Sequence, residues 1–309
     1  MTTDPDRSRE VTRRRLLGGL LGTLALGTGA VLTGCTRPPL AREAAAGAAP
    51  SGGPAAGTTS TASPSTATPS AAALTEQQLA AVAQRHQGRT PKAWGLQTEG
   101  VVLRSGQQQV ALTFDACGGP GGAGVDTALL ALLRAEQIPA TLFLNSRWIE
   151  ANRTLADDLA ADDLFELANH GTRHLPLSVS GRSAYGITGT GSVREVVDEV
   201  AGNHDLLTRL TGKEPRYFRP GTAYYDDIAV QIVRDLGEIP VNFDINGDAG
   251  ATFTTGQVAS AVGAARHGSI VISHMNQPKG MTAEGYAIAL PKLKKAGITF
   301  ARLDDLGLR

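Results

Sequence analysis

Beyond residue 107 short apolar runs alternate with longer amphipathic stretches. The runs "QVALTFD" (109–115), "ATLFLN" (140–145), "LFELAN" (164–169), "RYFRP" (216–220), "IPVNFDI" (239–245), "SIVISH" (269–274) and "ITFARL" (298–303) have the length and apolar content of buried strands. Between them, 126–137, 154–161, 192–210, 226–237, 254–268 and 283–297 carry helical periodicity, and a further helix is predicted at 74–86, capped by Thr75. Strands that alternate with helices imply parallel βαβ units. The expected fold is therefore α/β, a (β/α) barrel of about seven parallel strands, close to the eight of the commonest closed barrel. Polar residues cluster at the strand ends: Asp115, His170 and His174, Arg219, Asp244 and Asp248, and His274. In a parallel barrel all strand C-termini open on one face, so groups scattered through the sequence converge there.

The first hundred residues read differently. Arg13, Arg14 and Arg15 precede an apolar run that ends in "LTGC" at Cys35, the pattern of an export signal with paired arginines and a bacterial lipobox. A single membrane-spanning helix is the competing reading. From Thr36 to Ala73 the chain is nearly all Ala, Gly, Ser, Thr and Pro, too poor in apolar surface to offset ordering entropy, and is expected to be a disordered tether. The expected organisation is an export signal at 1–35, a tether at 36–73, a lead-in with one helix at 74–106 and a folded domain at 107–309. Lipid on Cys35 would hold that domain at the outer face of the cytoplasmic membrane.

Basic and acidic residues balance at 29 each, and no long basic stripe is present, which argues against nucleic acid as a partner. The chain has 2 cysteines. With Cys35 lipidated, Cys117 has no disulfide partner; it is read first as a small packing residue beside the site and second as a reactive thiol.

His170 and His174, four residues apart, can face one cation. No glutamate follows His170 as in the zincin motif, "CGGPGGAG" (117–124) lacks the Gly-Lys-Ser/Thr ending of a phosphate loop, and no serine sits in a Gly-x-Ser-x-Gly elbow. The residue types at the strand ends are compatible with amide hydrolysis, which needs a nucleophilic water, a stabilised oxyanion and a proton for the departing amine. A cation lowers the pKa of bound water from ~15.7 to roughly 7. Asp115, ionised beside Arg219, can accept the water's proton, and His274 can protonate the leaving group.

"TFDAC", "HGTRH", "RPGTAYYD", "FDINGD" and "ISHMN" occur in this order, and together resemble the five motifs of the polysaccharide deacetylase family, also called carbohydrate esterase family 4 or the NodB homology domain. The resemblance runs from about Gln107 to Leu306. It implies a distorted (β/α) barrel that uses a divalent cation, Zn, Co or Mn, to remove acetyl groups from a peptidoglycan-like or chitin-like polysaccharide. It further implies that Asp115 is the general base, His170 and His174 metal ligands, Arg219 the group that orients the base, His274 the general acid and Asp248 the residue that tunes it, with Asp244 nearby.

The family's first motif normally places a second aspartate, a metal ligand, where this chain has Ala116. Asp115 itself, water or Cys117 could fill the gap. Alternatively the domain binds glycan without catalysis, as an inactive lipoprotein. A transporter's substrate-binding lipoprotein would show two α/β lobes, which one domain of this length does not supply. Ala249 replaces an aromatic residue of the motif, and "RPGTAYY" leaves the oxyanion-binding amide unassigned. His204 and His267 read as structural and His86 as exposed. The polar stretch 178–192 reads as a wall or lid of the cleft.

Overall fold

Seven short strands make the sheet, and those at its centre are buried on both faces, the pattern of parallel strands lying between a helical layer and a filled interior. The seven are β1 (Ala111–Ala116), β2 (Ala140–Leu144), β3 (Phe165–Asn169), β4 (Tyr217–Phe218), β5 (Ile239–Pro240), β6 (Ile245–Asn246) and β7 (Ile270–His274). In the computed structural model, which describes residues 73–309, they pair in the order β6-β7-β1-β2-β3-β4-β5, all parallel. This is the chain order wrapped round a circle, with no pairing between β5 and β6: a curled half-barrel. The signal at 1–35, Cys35 and nearly all of the tether lie outside the described residues.

Two of the expected strands are corrected. "IPVNFDI" does not make one strand but two, at opposite ends of the sheet. The Val241 amide donates to Phe218 O on the β4 side (2.9 Å), while three residues later the Asp244 amide donates to Ile270 O of β7 (3.1 Å). The run therefore crosses the seam between the two sheet edges. "ITFARL" is not a strand: Phe300 makes one isolated bridge to Val110. Beyond it Leu303, Leu306 and Leu308 pack with Ala111, Tyr217 and Ile270, closing the end of the barrel where the strands begin.

The outward residues of β1 and β2, Leu112, Phe114, Ala116, Leu142 and Leu144, share one apolar cluster with α2 (Thr127–Ala135), α3 (Ser146–Ala151), α4 (Arg153–Ala160), α7 (Thr255–Gly263) and α8 (Thr282–Lys295). On the other side α1 (Glu76–His86), α5 (Val193–Thr211) and α6 (Asp227–Asp235) form a second apolar cluster. Thr75, Asp126, Ser192, Asp226 and Thr254 each cap a helix by accepting a bond from a first-turn amide. His86, expected at the surface, is buried where α1 meets α6, with Nε2 2.8 Å from Asp235 Oδ2. Burial of the α1 stripe against α6 carries the histidine inward. Among the described residues no helix is long and apolar enough to cross a membrane.

Candidate active site

Alternation along β1 sends Ala116 outward into the apolar layer and leaves Asp115 and Cys117 lining the cleft at the strand's C-terminal end. Directly after Cys117 the chain must turn hard. Gly118 has φ 66°, and a Cβ there would lie 2.5 Å from the Trp148 amide nitrogen, so only glycine fits.

Asp115 is buried. Its Oδ1 accepts from Arg219 Nη1 at 2.7 Å, and its Oδ2 lies 3.6 Å from His170 Nε2. Arg219, entirely buried just past β4, also donates to Thr113 Oγ1 (3.0 Å), Val241 O (3.3 Å) and Asn242 O (3.0 Å). Its guanidinium lies over the Phe143 ring at 4.1 Å. Every bond holds the fork in one plane, so one Asp115 oxygen is pinned and the other is left facing the cleft. Burial raises the Asp115 pKa, but the charges of Arg219, His170 and His274 outweigh it and hold the carboxyl below its ordinary value.

His170 follows β3. Its Nδ1 lies 2.7 Å from the Arg219 carbonyl, which can only accept, so Nδ1 carries a proton and Nε2 faces inward. That nitrogen is 3.8 Å from Cys117 Sγ. His174 reaches the same point through a left-handed backbone (φ 64°), its ring edge-on to His170 at 4.8 Å. The ligand atoms of Cys117, His170 and His174 all lie within 4.8 Å of one another. Ligands of one tetrahedral ion at about 2.0–2.3 Å are roughly 3.3–3.8 Å apart, so a small inward movement would complete a Cys-His-His face. Burial raises the Cys117 pKa, but His174 and hydrogen bonds from His170, His174 and His274 bring it well below its ordinary value. Cys117 is thus not the packing residue expected from the sequence: strand alternation turns its sulfur into the cleft.

On the opposite flank His274 ends β7. Asp248, fully buried, accepts from His274 Nδ1 (2.9 Å), from the His274 amide (2.6 Å) and from Thr282 Oγ1 (3.0 Å). Burial disfavours the imidazolium, but the bond to Asp248 outweighs it and carries the His274 pKa well above its ordinary value. The imidazole is thereby biased toward its protonated form, with the ring nitrogen not held by Asp248 turned toward Cys117.

Asp115, Cys117, His174 and His274 line one cleft of about 590 Å³, with Thr222, Phe243, Ala249 and Tyr185 around them. Asp244 is not part of it. Its carboxylate accepts from the Ile270 amide (2.8 Å) and Ser269 Oγ (3.0 Å) and pairs with Arg104, at the start of β7. β6 separates it from Asp248: one aspartate lies before the strand and the other after it.

Residues 103–239 match the family model described as polysaccharide deacetylase. The chain carries a polysaccharide deacetylase domain. The matched span includes Asp115, Cys117, His170, His174 and Arg219 and ends before Asp248 and His274, which the fold brings to the same cleft. A curated relative, the uncharacterised protein YlxY of Bacillus subtilis (strain 168), is 24% identical over 183 residues, 58% of this chain and 51% of that protein. The chain thus spans about half the length of that relative. Among solved structures, a carbohydrate esterase family 4 pseudoenzyme from Bacillus anthracis is 21% identical over 68% of this chain and 69% of its own, with a TM-score of 0.56. A mutant of it described as having restored enzymatic activity is 22% identical over 68% and 72%, also at 0.56. A family 4 acetyl xylan esterase from Clostridium thermocellum, solved with a cobalt ion, is 23% identical over 64% and 89%, at 0.51. These likenesses establish the fold of the deacetylase domain.

Two groups in this domain escape the sequence reading. Glu199, buried in α5, accepts from the Arg173 amide (2.9 Å) and the Leu175 amide (3.2 Å) and so clamps the loop that carries His174. The signal for it is a carboxylate within the apolar stripe formed by Val196, Val197 and Val200. Thr222, left-handed at φ 71°, has a buried Oγ1 with no hydrogen-bond partner among the described residues and lines the cleft. It lies within "RPGTAYYD", but nothing in that stretch singles out its hydroxyl. His204, paired with Glu238 Oε1 at 2.8 Å, and His267, bonded to Gln108 O, stand outside the cleft.

Proposed function

We propose that the chain is a metal-assisted hydrolase that removes acetyl groups from an N-acetylated envelope polysaccharide. The observation that carries this reading is that Asp115 and His274 line a single cleft, each held by a buried partner of opposite charge. The donor set fits a divalent cation. His170 Nε2, a His174 ring nitrogen and Cys117 Sγ converge, and the carbonyl behind His170 orients it as a second-shell acceptor does. A bound Zn²⁺, Co²⁺ or Mn²⁺ would lower the pKa of a coordinated water and polarise the acetyl carbonyl. Asp115 Oδ2, left open by the Arg219 clamp, accepts the proton of the attacking water. His274, biased toward its protonated form by Asp248, delivers a proton to the departing amine.

The competing reading, a glycan-binding protein without catalysis, draws on Ala116 and on the pseudoenzyme of the same fold. The intact pairs Asp115–Arg219 and His274–Asp248 favour the enzyme, since a site that only binds sugar has no use for a poised acid and base. Acetate release by the full chain from acetylated glycans, with and without added Zn²⁺, Co²⁺ or Mn²⁺, tests it. Glycan binding without release under any condition would establish the competing reading.

The outer face of the cytoplasmic membrane is the proposed location, supported by Arg13–Arg15 and by the lipobox ending at Cys35. Cys35→Ser is expected to move the protein out of the membrane fraction with its activity unchanged. A variant that stays anchored and unprocessed would make the segment a transmembrane helix.

A further inference from the structure

The hairpin Ser183–Ala184 and Ile187–Thr188 turns through Tyr185 and Gly186, both left-handed at φ 50° and φ 78°. Such a two-residue turn ordinarily takes Asn, Asp or Gly at its first central position. Here a tyrosine occupies it, strained in its backbone and with 75% of its surface exposed. Inside the free molecule the ring touches Tyr224 and leaves most of its surface in solvent. A locally unfavourable residue at the rim of a cleft points to a ligand.

Tyr185 does not stand alone. Its ring meets Tyr224 edge-on at 5.5 Å, and Tyr224 is tilted against Trp94, also at 5.5 Å. Three segments far apart in the chain thus contribute to one row of rings. Tyr185 borders the reacting cleft, whereas Trp94 and Tyr224 line a second concavity of about 500 Å³. Leu96 lines both, so the two spaces adjoin. Glu99 is the only charged residue around the second space, which therefore does not call for a charged ligand. A pyranose ring has apolar C–H faces and a hydroxyl rim. Aromatic rings take the former, and Gln97 and Glu99 at the border can bond the latter.

Resting on the polysaccharide deacetylase reading above, we infer that Trp94, Tyr224 and Tyr185 form a stacking ledge for pyranose units next to the one being deacetylated. The ledge makes the protein select a polymer strand over a short sugar.

The test uses the full chain carrying Asp115→Asn, so that binding is read without turnover. The probes are β-1,4-linked N-acetylglucosamine oligomers of increasing length. Trp148 is fully buried, which leaves Trp94 as the fluorescent reporter of the two tryptophans. Affinity is expected to rise with length, and Tyr224→Ala to weaken the longest oligomer by roughly tenfold while leaving the disaccharide unchanged. Tyr224→Phe should bind like the parent. In the catalytically intact chain Tyr224→Ala should raise KM for long substrates with kcat held. Equal losses for short and long oligomers, or affinity independent of length, would overturn the ledge. So would unchanged glycan binding combined with a shift in sedimentation, which would make the row a contact between copies. Length-dependent binding without acetate release would refute the catalytic reading and leave the ledge standing.

Discussion

The two flanks of the cleft are built on opposite terms. On the β6–β7 flank Asp248 accepts from the His274 ring, the His274 amide and Thr282, so little binding capacity is left over. On the β1–β3 flank Cys117, His170 and His174 turn ligand atoms toward one another without filling the space between them. A saturated network holds one proton at one atom, whereas converging nitrogen and sulfur atoms are the arrangement that the proposed cation site requires. Asp115 lies at the seam, one oxygen pinned by Arg219 and the other 3.6 Å from His170. The difference teaches that proton chemistry and cation binding draw on different residues here, coupled where Cys117 meets His274.

The largest effect is expected at the seam. Asp115→Asn keeps a partner for Arg219 but cannot accept a proton, so turnover should fall by about 10²–10⁴-fold with the thermal unfolding transition retained. Acetate release and circular dichroism check this pair of outcomes. Near-normal turnover would show that Asp115 is not the base.

Cys117→Ser attacks the cation flank and also removes the hydrogen bond that Cys117 shares with His274. Loss of the thiolate should weaken Zn²⁺ binding by at least about tenfold, while Cys117→Asp keeps an anionic ligand and recovers part of it. Cobalt substitution gives the sharper reading, since a sulfur-to-cobalt absorption band should be present in the wild type and missing from both variants. A wild-type cobalt complex without that band would remove Cys117 from the ligand set.

Asp248→Asn attacks the proton flank. The bond to Asp248 is the largest contribution holding His274 above its ordinary value, so its loss lets the imidazole lose its proton at lower pH. The alkaline limb of the pH–rate profile should therefore move to lower pH, with Zn²⁺ affinity unchanged. An unmoved limb would mean that His274 is not the acid.

The smallest effect on catalysis is expected at Asp244. Asp244→Ala removes acceptors for Ser269 and Ile270 at the far end of β7 and should cost about 1–3 kcal/mol in urea unfolding, with kcat and KM within about twofold. A large loss of turnover would bring Asp244 back to the site.

Asp244 and Asp248 also show where sequence reading succeeds and where it stops. Both were legible as polar residues near the end of an apolar run. Only the hydrogen bonds of residues 241–244 across the seam reveal that the run is two strands with an aspartate before and after the second. Cys117 is a similar case. Its small size and lack of a partner cysteine fit burial, yet its direction follows from the register of β1, which places Ala116 in the apolar layer. Glu199 and Thr222 went unread because a carboxylate in a helix and a threonine in a turn are common, and their meaning lies in what approaches them.

The sequence by itself determined the βαβ rhythm, the helix caps and the strand-end residues from which the cleft is assembled. These follow from periodicity and from bonds between near neighbours along the chain. Tertiary structure alone decided the direction of the Cys117 sulfur, the exclusion of Asp244, the support of His174 by Glu199 and the row of rings at the rim. Each depends on contacts between residues distant in the chain, which no local pattern records: Arg219 reaches Asp115 across 104 positions.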